Sequence, residues 1–388
     1  PTGIQGPQGP QGNQGIQGPQ GPTGPSFQYE QIIWVDPNGN DGTATAANQG
    51  DPIKPFRSVS GAVNYLSAGG KVGWTVEIQA GVYKEAATIR IDAKNTGITI
   101  HLSGGVSIVG DGSLGNLPLF EIDGFASCTI IGDAPDGEFN QTQLSGTGNG
   151  PLGGASIVTN SAGQLMFSLG GVGAEVQQVN ISNIALIHPL SSSVVPIIYY
   201  DNKPGTAIER HLLNITNCYI RQDSTGDGQA DVIGASSNYP PRTIINVRDC
   251  FITTAARGGV SFNLRNPGSE SGNVLALKLR DNVFYATNIA NISSDTAHIE
   301  TEASNGAQLY WYWQGNTFYS DGVTGIASGA KIYAWHDGGS STVACKLIQT
   351  TSSTHNYDTY NTPPIINMTP VAMYGPLKTP PPEWWNRS

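Results

Sequence analysis

A few groups of side chains in this chain have the types and spacing to do chemistry. Asp36, Asn38, Asn40 and Asp41 crowd into the stretch VDPNGNDGT (35–43). Oxygen-rich turns of this kind are how proteins offer ligands to Ca2+, the one cofactor these residues could take. An EF-type loop needs Gly at its sixth position and Asp41 stands there, so a solvated turn is the competing reading. Tyr310 and Tyr312 alternate with Trp311 and Trp313, and aromatic faces of this sort can stack on sugar rings. Asp223, Asp227 and Asp231, and Glu300 with Glu302, are the carboxylates from which a glycosidase pair, roughly 5.5 to 9.5 Å apart, could be drawn. The six histidines share no metal-ligand spacing, and the four cysteines form no CxxC.

The elements that must carry these residues announce themselves as a repeat. Five segments align: VNISNIAL (179–186), LNITNCYI (213–220), INVRDCFI (245–252), LKLRDNVF (277–284) and WYWQGNTF (311–318). Anchored on Ile181, Ile215, Val247, Leu279 and Trp313, their spacings are 34, 32, 32 and 34 residues. A sustained period of this size means a solenoid. Strand alternation then puts the first and third residue of each segment inside and the second and fourth outside. Trp311 and Trp313 fall at inward positions, whereas Tyr310 and Tyr312 face out, toward a sugar or a neighbouring subunit. Two residues after each anchor stands Asn183, Asn217, Asp249, Asp281 or Gly315, a turn former in every coil, as a stacked Asn/Asp ladder at a corner requires. Cys218 and Cys250 share one position, within disulfide reach but expected as stacked free thiols. Arg248 and Arg280 also stack, facing out. They need partners, for which Asp249 and Asp281 or carboxylates of another chain could serve.

Composition closes other routes. Among 388 residues, Gly is 50 and Pro 25, and only 12% are charged, against roughly 25% in an average soluble protein. Turns and short strands are favoured over long helices. The net charge is −10 with no basic run, which argues against a nucleic-acid partner. No apolar run is long enough for a membrane-spanning helix.

At the amino terminus Gly3, Gly6, Gly9, Gly12, Gly15, Gly18, Gly21 and Gly24 recur at every third position. Only Gly fits the axis of a collagen triple helix, so residues 1–26 predict a stalk of three parallel chains, a homotrimer. Pro7, Pro10, Pro19, Pro22 and Pro25 directly follow Gly, and the second variable place is never Pro. This pattern needs no hydroxylation and resembles the collagen-like repeats of bacteria and phages. The chain opens at Pro1 inside the repeat, which implies a longer natural protein whose preceding part is out of sight.

Between stalk and repeats lies a second signature. The turn D-P-N-G-N-D-G-T (36–43) is followed by PFRSVSGAVNYL (55–66). There Val59, Ala62, Val63 and Leu66 make one helical face, predicting a short capping helix near 56–66. Next comes the strand TVEIQAGVYKE (75–85). In this order the three resemble the amino-terminal coil of right-handed parallel β-helix proteins of the pectin-lyase-like superfamily. The resemblance implies an all-β, right-handed parallel β-helix over 27–350 with a cap over 27–85. A Pro-rich terminal segment follows at 351–388. That superfamily includes pectate lyases, polygalacturonases and phage tailspike depolymerases. The polygalacturonase signatures N-T-D, D-D, G-H-G and R-I-K are absent here, as is the R-x-P-x-x-R of the lyases, so no catalytic residue is assigned.

A collagen-like stalk feeding a β-helix looks like a bacteriophage tail or head fibre. That resemblance implies a structural protein at the virion surface, joined to other virion proteins through its preceding part and attaching to host-surface polysaccharide. A tailspike-type polysaccharide depolymerase, and an adhesin of the bacterial cell surface, are the alternatives.

Overall fold

The computed structural model describes residues 2–3, 31–43, 50–123, 126–133, 154–159, 164–170, 176–188, 195–201, 210–222, 232–235, 242–254, 262–266, 274–286, 297–303, 308–314, 316–320, 331–337 and 344–349. Contacts divide the chain into Pro1–Glu30 and Gln31–Ser388. In the first unit only Thr2 and Gly3 are described, both exposed. The remaining glycines of the stalk repeat, and the segment 351–388, lie outside the described residues.

In the second unit three sheets are visited in turn. The first has ten strands, from Ile32–Val35, Thr75–Ile78, Ile98–Leu102 and Cys128–Gly132 through to Gln308–Gln314 and Ala344–Gln349. The second has eight, from Gly81–Glu85 to Thr317–Ser320, and the third eight, from Ile89–Ile91 to Lys331–Asp337. Within each sheet a strand pairs with its counterpart one circuit earlier and one circuit later, always in parallel. This is an all-parallel β-solenoid with one α-helix among the described residues.

The register matches the repeat read from the sequence. Ile33, Val76, Ile100, Ile130, Ile181, Ile215, Val247, Leu279 and Trp313 are successive partners along the first sheet. From Ile33 to Leu279 all are buried. A second interior column runs Tyr83, Ile108, Ile157, Leu186, Ile220, Ile252 and Phe284. On the third sheet Phe120 and Phe167 stack with ring centroids 5.0 Å apart. Each buried aliphatic or aromatic side chain stabilises the coil by about 1.5–3 kcal/mol relative to exposure.

The corner between the first and second sheets turns as predicted. Asn183, Asn217, Asp249 and Asp281 have φ of 58, 51, 54 and 54°. This is the left-handed region, which Asn and Asp tolerate best among residues with a side chain. Asn217 Nδ2 donates to Asn183 Oδ1 at 2.9 Å. Asp249 and Asp281 instead pair with Arg248 and Arg280 of their own coils, at 3.0 and 3.7 Å.

A second ladder lies one residue further on, inside the corner. Its column is Cys218, Cys250, Asn282 and Asn316, all buried. Asn282 Nδ2 donates to Val247 O and to Asn316 Oδ1, both at 2.9 Å, and Asn282 Oδ1 accepts from Cys250 N. Asn316 Nδ2 donates to Leu279 O. These bonds offset the cost of burying two amides. Cys218 and Cys250 are free thiols, as is Cys128, whose buried thiol is pushed up to about 12.

The helix, α1, spans Val59–Ala68 rather than starting at residue 56. Ser58 is its N-cap and accepts from Gly61 N, which sets the start. Phe56 stays extended. It bridges Val35, its N–H donates to Trp34 O, and its ring is buried against Tyr65. The stretch Gly50–Phe56 thereby covers the outer edge of the first strand, an edge that would otherwise offer itself to another chain. α1 buries Val59, Ala62, Val63 and Leu66 over the open end of the core. Lys71 sits 4.0 Å from the centre of the Trp74 ring beside it. No helix among the described residues is long and apolar enough to cross a membrane.

Candidate functional site

The oxygen-rich turn serves the start of α1. Asp41 Oδ1 accepts from Arg57 N at 2.8 Å and Ser58 N at 3.2 Å, and its Oδ2 accepts from Ser58 Oγ at 2.6 Å. Asp36 Oδ1 accepts from Asn38 N and Asn40 Oδ1 from Gly42 N, each at 2.8 Å. Asp36 Oδ1, Asn40 Oδ1 and both carboxylate oxygens of Asp41 are thus acceptors of bonds within the turn and to the helix start. Among the described residues no group of three or more His, Cys, Asp or Glu could hold a metal ion. Glu85, the last residue of the strand signature, reaches the same helix end. Its Oε1 and Oε2 accept from Val59 N and Ser60 N at 2.8 and 3.0 Å. Burial pushes the Glu85 carboxyl up, while its bonds to Ser60 and Val59 pull it back. Two carboxylates thus occupy the positive end of one short helix. Tyr83, two residues earlier, donates its hydroxyl to Gln79 O at 2.6 Å.

Tyr310 and Tyr312 lie on Gln308–Gln314, in register with Ala276 and Lys278 and alternating with Trp311 and Trp313, which align with Leu277 and Leu279. The Tyr312 position continues the column Asn180, Asn214, Asn246 and Lys278. On that outer column a second set of amides is stacked. Asn180 Nδ2 donates to Thr129 Oγ1, Asn214 Nδ2 to Asn180 Oδ1 and Asn246 Nδ2 to Asn214 Oδ1, at 3.2, 2.7 and 2.6 Å.

Of the carboxylates offered for a glycosidase pair, Asp223, Asp227 and Asp231 lie outside the described residues. Glu300 and Glu302 are on Ala297–Ala303 of the third sheet. They alternate with Ile299 and Thr301, and Ile299 follows Ile198, Ile233 and Phe262 in register. Glu302 pairs in register with Arg265 on one side and His336 on the other, and Glu300 with Asn263 and Ala334.

Two clusters escaped the sequence reading. On the outer face of the first sheet, His101 Nδ1 lies 2.8 Å from both carboxylate oxygens of Glu77, and its Nε2 lies 3.1 Å from Asp133 Oδ1. Partial burial opposes charge on the ring, but the bonds and charges of Glu77 and then Asp133 outweigh it, so its pKa is raised. The only signal in the sequence is that Glu77 and His101 fall at outward positions of neighbouring strands. Inside the solenoid, the buried His211 has neither ring nitrogen hydrogen-bonded and meets the Tyr200 ring edge-on at 6.2 Å. Burial drives its pKa down to about 3.

Comparison with protein-family models, with curated proteins and with solved structures finds no match. The site geometry therefore stands on its own residues. It offers a stacked outer amide column on an all-parallel solenoid and a cap closed by two carboxylates.

Proposed function

We propose that the protein is a homotrimeric virion fibre of a bacteriophage, a collagen-like stalk carrying a right-handed parallel β-helix of the pectin-lyase-like kind. The observation that carries this reading is the joining, in one chain, of an unbroken Gly-X-Y repeat to an all-parallel solenoid. The repeat calls for three chains, and a stacked solenoid leaves few open edges for proteases or stray strands to exploit. The outer column of Asn214, Asn246 and Lys278, which Tyr312 follows in register, would meet a host-surface glycan. Three copies on one stalk would turn weak contacts into avidity.

A tailspike-type depolymerase is a second reading, favoured by the register of the third sheet. Arg265, Glu302 and His336 follow one another across three coils. Glu300 is two residues from Glu302, roughly 6.6 Å along the strand, comparable with the carboxylate spacing of about 6.5–9.5 Å in inverting glycosidases.

Light scattering on the full chain, with binding and reducing-end assays on one host-surface polysaccharide, separates these readings. Trimers that bind without product support the fibre. Reducing ends that appear with the wild type and vanish in Glu302→Gln establish the depolymerase. Monomers overturn the trimeric fibre.

A further inference from the structure

Three successive coils meet at His101. Glu77 comes from Thr75–Ile78, His101 from Ile98–Leu102, and Asp133 directly follows Cys128–Gly132. Both ring nitrogens face carboxylate oxygens. A neutral imidazole has one N–H and one lone pair, so only the doubly protonated ring can donate to both partners. The geometry is therefore that of an imidazolium bridging two carboxylates.

The two arms are unequal. Glu77 is 19% exposed, approaches with both oxygens, and also accepts from Ser103 Oγ at 3.3 Å. Asp133 is 54% exposed and offers one oxygen to the ring, while its Oδ2 accepts from Gly104 N at 3.1 Å. The register neighbours of Glu77 and His101 on the flanking strands are Trp34 and Ile131, both uncharged. When the ring loses its second proton, the remaining N–H stays with Glu77 at the better-buried arm. A lone pair then confronts Asp133.

We propose that His101 is a proton-operated clamp that ties these three coils together and releases Asp133 as the medium becomes alkaline. Asp133 is the residue that follows the first-sheet strand Cys128–Gly132. The protonation state of one side chain thus decides whether Asp133 is held to the preceding coil.

The test uses the full chain between pH 5 and 9.5. Histidine C2–H exchange read by mass spectrometry gives the titration of His101. Backbone amide exchange, corrected for the intrinsic effect of pH, gives the protection of Gly104. The expected result is a loss of Gly104 protection of about tenfold, with the same midpoint as His101 and above that of an ordinary histidine. In His101→Gln that loss no longer depends on pH, and in Asp133→Asn the His101 midpoint falls. Protection of Gly104 that stays constant through the His101 titration overturns the clamp, as does an unchanged pH dependence in His101→Gln.

Discussion

The first coil and the corner that begins at Asn183 solve the same problem by opposite means. Both must satisfy backbone groups where the chain turns in a crowded interior. The first coil does so once, with charge: Asp41 and Glu85 together accept from the N–H groups of residues 57–60. The corner does so repeatedly, with neutral amides that pass a hydrogen bond from coil to coil, as from Asn217 to Asn183 and from Asn282 to Asn316. A charge suits the cap because a helix end presents a fixed positive potential. It would suit a ladder badly, because like charges about 4.8 Å apart repel. Where the ladder does meet Asp249 and Asp281, each is neutralised by its neighbour, Arg248 or Arg280.

Substitutions can break this contrast at either pole. Ile215→Ala empties the middle of the interior column and should cost about 3–4 kcal/mol, read as a lower midpoint in chemical denaturation. A solenoid transmits damage mainly to nearest neighbours, so amide protection should fall first in the flanking coils. The next effect comes from pH. Because His211 is held far below the ordinary histidine range, its contribution is complete above about pH 6.5 and is lost as pH falls toward about 3. The loss should be on the order of 3 kcal/mol in the wild type and largely absent in His211→Leu, as thermal melts from pH 7 to 4 would show. His101 titrates in the opposite sense, since its raised pKa makes its stabilisation complete at acid pH and lost as pH rises.

At the cap, Glu85→Ala leaves Val59 N and Ser60 N without their acceptor in a buried site. It should cost about 2–3 kcal/mol, with exchange accelerated in α1 and not in coils beyond Asn183. Asp41→Ala, on the more exposed side of the same helix end, should cost about 1 kcal/mol. Arg248→Ala should change stability by less than about 0.5 kcal/mol, because both partners are half exposed. Equal losses from Glu85→Ala and Arg248→Ala would erase the distinction between a buried charge that caps a helix and a solvated pair that decorates a corner.

The solenoid was legible wherever its period was constant. From Ile181 to Trp313 the anchors recur at 32 or 34 residues, and every one is a register partner of the next. The earlier coils hide because their steps are uneven: Val76 pairs with Ile100, then Ile130, then Ile181, at intervals of 24, 30 and 51 residues. Without a fixed period nothing in the chain tells which outward residue of one coil faces which of the next, so the Glu77–His101–Asp133 cluster was invisible. The same applies to the cap. Asp41 and Glu85 each stood in a recognised signature, yet their shared helix end is a three-dimensional fact. The inner ladder was missed because Asn282 and Asn316 share a column with Cys218 and Cys250, and that change of residue type disguises the column.

The outer amide stack has a direction. Asn180, Asn214 and Asn246 each donate toward the preceding coil. Any coil in this stretch therefore presents to its successor the surface it received from its predecessor. The joints are of one kind, so the number of coils in this stretch can change without altering what lies at either end of it. Excision of one whole period, or its duplication, would keep the column in register and change the length of this stretch of solenoid by about 4.8 Å per coil.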